Sequence, residues 1–184
     1  MLQSRRSFVR AAATSVAAAS VVLPHLKAAH HGGGKKVKLA VVGTGGRSRR
    51  DIPNFIKGCE LIGLEVEIVM LADAFEDQVM IAAEAYSVPK DRCVWGWKAY
   101  QKVAESDAEF VMLITPPLFR PQHFDMMVEA GKHVMLEKPV AVDAPGCRRV
   151  IAAGEKAKQN GLAVLAGTQR RHQFTYLRNA AKVQ

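Results

Sequence analysis

Cysteine is scarce in this chain, and the few present form no pattern. Cys59, Cys93 and Cys147 are scattered and odd in number, with no C-x-x-C and no zinc-ligand spacing. This argues against a disulfide framework and a structural zinc module, and leaves three free thiols, mostly buried. The six histidines are dispersed, two of them (His30 and His31) in the linker-like stretch before residue 37, so no metal-ligand set is read. Internal repeats are absent. The Ala-rich run from Ala11 to Leu23 is too short to span a bilayer comfortably. Acidic residues are missing from residues 1–28, which carry Arg5, Arg6, Arg10 and Lys27. Without those four cations the formal charge falls from +9 to about +5. No basic helix interleaved with aromatics follows, so a nucleic-acid partner is not expected. At 184 residues the chain holds about one ordinary domain.

What is present is concentrated in VKLAVVGTGGRS, residues 37–48. Apart from Lys38, Val37 to Val42 is apolar, without sustained polar alternation, as in a parallel strand covered on both faces. Gly43, Gly45 and Ser48 then follow G-x-G-x-x-small, the turn that brings a dinucleotide pyrophosphate to a helix N-terminus. Gly43 permits the tight turn and Gly45 the close backbone approach. A small third residue lets helix and strand pack. Arg47, Arg49 and Arg50 suit a dinucleotide phosphate as well as a polymer. The following helix starts either at this turn or near Pro53, with Asp51 as its cap and a separate short phosphate turn before it.

The second strand, 66–73, ends in Asp73. A carboxylate there accepts from a ribose 2′-hydroxyl and repels a 2′-phosphate, by roughly 4 kcal/mol for charges about 4 Å apart at an effective dielectric of about 20. That favours NAD over NADP; the alternative is a surface aspartate at a strand end. A helix over 76–86 stops before Pro89. A short strand at 93–97 follows, with Trp95 and Trp97 read as core and loop packing. Further elements are a helix at 98–105, a strand at 109–117, a helix at 123–131 and a strand at 133–142. A helix capped by Asp143 and a strand at 162–172 complete the alternation, and the final dozen residues show little pattern. The expected fold is α/β, a doubly wound, mostly parallel Rossmann sheet of order 3-2-1-4-5-6. Thr115 and Pro116 fall at its switch point. Glu137-Lys138-Pro139 sits inside an apolar strand run. It either serves a site or forms an ordinary ion pair.

The leader SRRSFVR, residues 4–10, resembles a twin-arginine (Tat) export signal of the form S-R-R-x-F-L-K. The alternative is an amphipathic helix or a retained anchor. The expected layout is a signal peptide over 1–28, a linker over 29–36, a dinucleotide-binding domain over 37–168 and the start of a second domain over 169–184. The expected partner is the Tat translocase, the location periplasmic or otherwise extracytoplasmic, without a stable membrane anchor.

GTGGRS at 43–48, LAD at 71–73, ITPP at 114–117, HFDMMVEAGKHVMLEKPVAVD at 123–143 and GTQRRH at 167–172 resemble the glucose–fructose oxidoreductase / inositol dehydrogenase / MocA (Gfo/Idh/MocA) family. The resemblance implies an N-terminal Rossmann domain for NAD or NADP and a C-terminal α/β domain shaping a sugar or polyol site. Carried over by position, Gly43, Gly45, Gly46 and Arg47 line the pyrophosphate and Asp73 the ribose. Thr115, Pro116 and His123 flank the cofactor, and Glu137 lies near the nicotinamide end. Lys138 is the EKP lysine that contacts substrate and assists proton transfer. The Lys138–Pro139 peptide is expected to be cis. The family's remaining acid/base residues lie in the second domain, which this chain is expected to lack. The readings are therefore the cofactor half of an exported oxidoreductase, an NAD-dependent glycosidase of the same superfamily, or a non-catalytic nucleotide-binding fragment. A truncated chain is also expected to expose an unfinished edge near 168–184.

Overall fold

A computed structural model describes residues 36–183. Six strands form one sheet: β1 (Lys36–Val42), β2 (Glu65–Asp73), β3 (Cys93–Trp95), β4 (Phe110–Leu113), β5 (His133–Leu136) and β6 (Val164–Ala166). Every pairing is parallel and the spatial order is 3-2-1-4-5-6. The helices are α1 (Ser48–Leu61), α2 (Glu76–Tyr86), α3 (Ala99–Glu105), α4 (Arg120–Glu129), α5 (Ala144–Gln159) and α6 (Phe174–Val183).

The apolar strands are explained by two cores, one on each face of the sheet. Ala40, Val42, Val111, Leu113, Val134 and Leu136 point to the side of α3, α4 and α5. Leu39, Val41, Leu71 and Met112 point to the side of α1 and α2. Leu39, Ala40 and Val41 are completely buried, and each Leu or Val so placed contributes roughly 1.5–3 kcal/mol. Phe124 and Met127 of α4, one i,i+3 step along an apolar stripe, fill the first core.

Helix ends follow local chemistry. The Asp143 side chain accepts from the backbone of Gly146 at 2.7 Å and caps α5. Ser87 takes a left-handed conformation after α2, two residues before Pro89. The start of α1 is resolved in favour of the glycine turn: the helix begins at Ser48, and Pro53 lies inside it.

Several expectations need correction. Trp95 and Trp97 are not core: they are 43% and 72% exposed. Strands β4, β5 and β6 are short, because only the stretch that pairs laterally is extended. Glu137-Lys138-Pro139 therefore follows β5 instead of interrupting it, and Gln169–His172 forms a 3-10 turn instead of ending β6. The patternless final residues form α6, whose Phe174, Tyr176 and Leu177 are exposed. The tail's apolar residues follow a helical period, so its signal was present but weak. The leader lies outside the described residues.

Candidate functional site

The carboxyl ends of β1, β2 and β4 open into a cavity of about 650 Å³ at the point where the strand order reverses. Its floor is the glycine turn. Gly43 has φ +97°, and a Cβ on it would lie 2.6 Å from the backbone nitrogen of Thr115. Glycine is thus required twice, by conformation and by the approach of β1's turn to the end of β4. At Gly46 nothing lies within 4 Å of a Cβ, and at Gly45 only the end of Gln78 does. The missing side chains leave open space at the cavity floor.

Ser48 explains the departure from glycine at the third position. It is buried, and its hydroxyl donates to the Gly45 carbonyl at 2.6 Å, locking the turn to the first residue of α1. The N–H groups of Gly45, Gly46 and Arg47 donate to no other group among the described residues. Together with the positive end of a 14-residue helix, they form a ready anion site.

Asp73, the last residue of β2, lines the same cavity beside the glycine turn. One of its oxygens accepts from the Thr44 backbone at 2.7 Å and the other from the Phe75 backbone at 3.1 Å. The Thr44 hydroxyl also donates to the first oxygen, at 3.4 Å, so the carboxylate is held between two turns and the oxygen facing Phe75 keeps a further lone pair. Opposite runs an aromatic wall. The rings of Tyr100 and His123 stack at 4.1 Å, with Phe119 6.2 Å from His123 and Trp97 5.7 Å from Phe119. His123 and Thr115 share a hydrogen bond at 3.3 Å between Nδ1 and Oγ1. Burial depresses the imidazole to a pKa of about 4, so it is neutral at pH 7.

Gly43, Gly45, Gly46, Arg47, Asp73, Thr115, Pro116 and His123 all line this one cavity. Glu137 and Lys138 do not. Glu137 is buried behind the glycine turn. Its Oε1 accepts from Arg47 at 2.9 Å and from Gln169 at 2.7 Å, and its Oε2 accepts from the backbone of Lys138 at 3.1 Å. The ion pair considered for the EKP stretch therefore joins Glu137 to Arg47, 90 residues away, and not to its neighbour Lys138. Arg47 also binds Asp51 at 2.8 Å through Nε. Burial opposes the charge on Arg47, but the hydrogen bonds and charges of Asp51 and Glu137 outweigh it and raise its pKa. Burial raises the Asp51 carboxyl, partly offset by Arg47. Lys138 is exposed, and its peptide bond to Pro139 is cis.

Sequence reasoning missed Arg120. It is 5% exposed, and its Nη1 donates to the carbonyls of both Glu137 and Pro139, while its Nε has no partner. It thus grips the Lys138 turn from both sides. The available signal was a charge in register with Phe124 and Met127 on the apolar stripe of α4. Thr44, Tyr100 and Phe119 were also missed, because Thr44 acts through its backbone and the two rings meet partners some twenty residues away; Asp51 was read only as a helix cap, although its partner Arg47 is four residues away.

The chain matches the Gfo/Idh/MocA oxidoreductase family with an NAD-binding Rossmann fold over residues 37–166. It is 31% identical over 141 residues to inositol 2-dehydrogenase 1 of Saccharopolyspora erythraea, covering 77% of this chain and 39% of that protein. Over 51 residues it is 41% identical to 1-carboxy-3-chloro-3,4-dihydroxycyclohexa-1,5-diene dehydrogenase of Comamonas testosteroni, covering 28% of this chain and 13% of that protein. The fold resembles scyllo-inositol dehydrogenase from Lactobacillus casei with bound NAD(H) and scyllo-inositol. The TM-score is 0.65 at 20% identity, over 81% of this chain and 41% of that one. It also resembles KijD10, a 3-ketoreductase from Actinomadura kijaniata in complex with NADP, at a TM-score of 0.64 and 22% identity, over 81% of this chain and 42% of that one. The chain thus spans about two fifths of the length of these structures.

Proposed function

The chain belongs to the Gfo/Idh/MocA oxidoreductase family, and on that footing we propose that it is the nicotinamide-dinucleotide-binding portion of an exported oxidoreductase acting on a sugar- or polyol-like substrate, with NAD preferred over NADP. One observation carries the binding reading. Three backbone N–H groups without partners among the described residues, at the N-terminus of α1, share an open cavity with the anchored carboxylate of Asp73. An anion site beside a carboxylate acceptor suits a ligand with a central anion and a ribose diol.

The residues present fit such a cofactor. Gly45, Gly46 and Arg47 would hold the pyrophosphate through main-chain donors, Gly43, whose own N–H donates to the Ala72 carbonyl at 2.8 Å, would shape the turn beneath it, and Asp73 would accept from the adenosine ribose. Thr115, Pro116 and His123 would wall the cofactor. When bound, the nicotinamide supplies or takes up the hydride. Lys138, exposed on a turn fixed by Arg120, would hold the substrate hydroxyl and lower its pKa by charge, easing proton loss as the carbon is oxidised. The remaining proton acceptors and substrate selection are assigned to a second domain.

The test is fluorescence titration with NADH and NADPH, reading energy transfer from Trp97 at the cavity rim. Saturable binding, tighter for NADH, is expected; absence of saturation with either nucleotide overturns the reading. Export is supported by the motif at residues 4–10. Replacing Arg5 and Arg6 with Lys should leave the precursor unprocessed in the cytoplasm, and unchanged processing would remove the Tat assignment.

A further inference from the structure

Glu137 belongs to no step of the proposed chemistry, yet it is 3% exposed and charged, and three separated segments converge on it. The first is the glycine turn, through Arg47 Nη2 at 2.9 Å. The second is the Lys138 turn, through the Lys138 backbone at 3.1 Å. The third is the chain beyond β6. Gln169 Nε2 donates to the same Oε1 at 2.7 Å, and the backbone of Gly167 lies directly against the carboxylate. A Cβ at position 167 would collide with Glu137 Oε1 and Cδ, so with glycine there the segment closes over the carboxylate without displacing it. The Gly167 backbone also donates to the Leu136 carbonyl at 2.8 Å, fixing it to the residue that precedes Glu137.

We propose that Glu137 is a positioning residue that couples the glycine turn to the chain's exit at Gly167–Gln169, so that occupancy of the turn is transmitted to whatever follows residue 169. The physical basis is a shared acceptor. Arg47 and Gln169 donate to one oxygen, so a displacement of Arg47 changes the charge that Gln169 feels and the place its amide can take. Arg47 belongs to the turn that faces the cavity, while Gln169 lines no part of it. A ligand anion drawing on Arg47 therefore loosens or redirects Gln169 across a distance that no direct contact spans. The transmitted part of this inference rests on the nucleotide reading above; the coupling itself does not.

The experiment separates the two. Amide hydrogen exchange is followed by mass spectrometry in wild type, Glu137→Gln and Gln169→Ala without nucleotide. Glu137→Gln is expected to speed exchange in both 45–51 and 167–172 by roughly fivefold. Gln169→Ala, at a half-buried position that tolerates truncation, is expected to speed exchange in 45–51 as well. An effect of Gln169→Ala confined to 167–173 overturns the coupling. NADH titrations form the second arm. Gln169→Ala should weaken NADH by roughly fivefold in wild type and leave it unchanged in the Glu137→Gln background, because the coupling runs through the charge. Equal losses in both backgrounds overturn the proposal as well. Failure of wild type to bind NADH removes the nucleotide reading alone, and the exchange arm still decides the coupling.

Discussion

The Cα of Gly43 faces the backbone nitrogen of Thr115 so closely that a Cβ would stand 2.6 Å from it. The contact joins the turn after β1 to the end of β4, the two strands that define the switch point. Gly43→Ala must shift one of two backbones and also strain φ +97°. We expect a loss of about 3 kcal/mol in urea unfolding, together with loss of NADH binding. Wild-type stability in this variant would mean that the two segments part easily.

Asp73 is expected to control the choice of nucleotide. Asp73→Ala removes the acceptor for the Thr44 and Phe75 backbones, so a loss of about 1–3 kcal/mol in stability should accompany it. It also removes the charge facing a 2′-phosphate. The NADPH-to-NADH affinity ratio should rise about tenfold by titration, a partly exposed site screening the rest of the repulsion. An unchanged ratio would move selectivity away from Asp73.

His123 makes a pH-dependent contribution whose sign follows from its depressed pKa of about 4 against an ordinary value of 6.5. Between those values the unfolded chain binds the proton and the folded chain does not, so stability falls as pH drops. The contribution is complete above pH 6.5 and lost on the way to pH 4, up to about 3 kcal/mol. Urea unfolding at pH 7.5, 6 and 4.5 should show a shallower decline for His123→Phe, which retains a ring against Tyr100. Parallel curves for the two proteins would contradict this.

Arg120 is expected to be costly to remove although it does not itself line the cavity. Arg120→Met leaves the carbonyls of Glu137 and Pro139 without their donor. Losing the donor to one buried and one part-buried carbonyl should destabilise by about 2–3 kcal/mol. Limited proteolysis should then cut near Lys138 faster than in wild type, and an unchanged cleavage rate would show that the turn holds itself.

Local physics made much of this legible in the sequence. Val37–Val42 reads as a strand because both faces need apolar side chains, and Gly43 reads as a turn because no other residue fits it. Asp73 and Asp143 read correctly as a strand end and a cap because their partners are backbone atoms a few residues away or on the adjoining turn. Arg47–Glu137 and Arg120–Pro139 were not legible. Each joins residues whose proximity exists only after α1, α4 and β5 have packed, and composition gives no hint of which cation meets which carboxylate. Trp97 was misread for a related reason. Large apolar residues are usually buried, and a tryptophan at the open end of a parallel sheet is an exception visible only in three dimensions.

The position of β1 in the sheet has a consequence for synthesis. It lies between β2, which follows within about thirty residues, and β4, which begins only at Phe110. At about 5–20 residues per second, a nascent chain waits several seconds with one side of Leu39–Val42 unpaired. The glycine turn waits with it, since its tight approach is to Thr115. During that interval a strand whose Leu39, Ala40 and Val41 end completely buried is an open edge available to other chains, and protection by a chaperone matters most before residue 115 has left the ribosome.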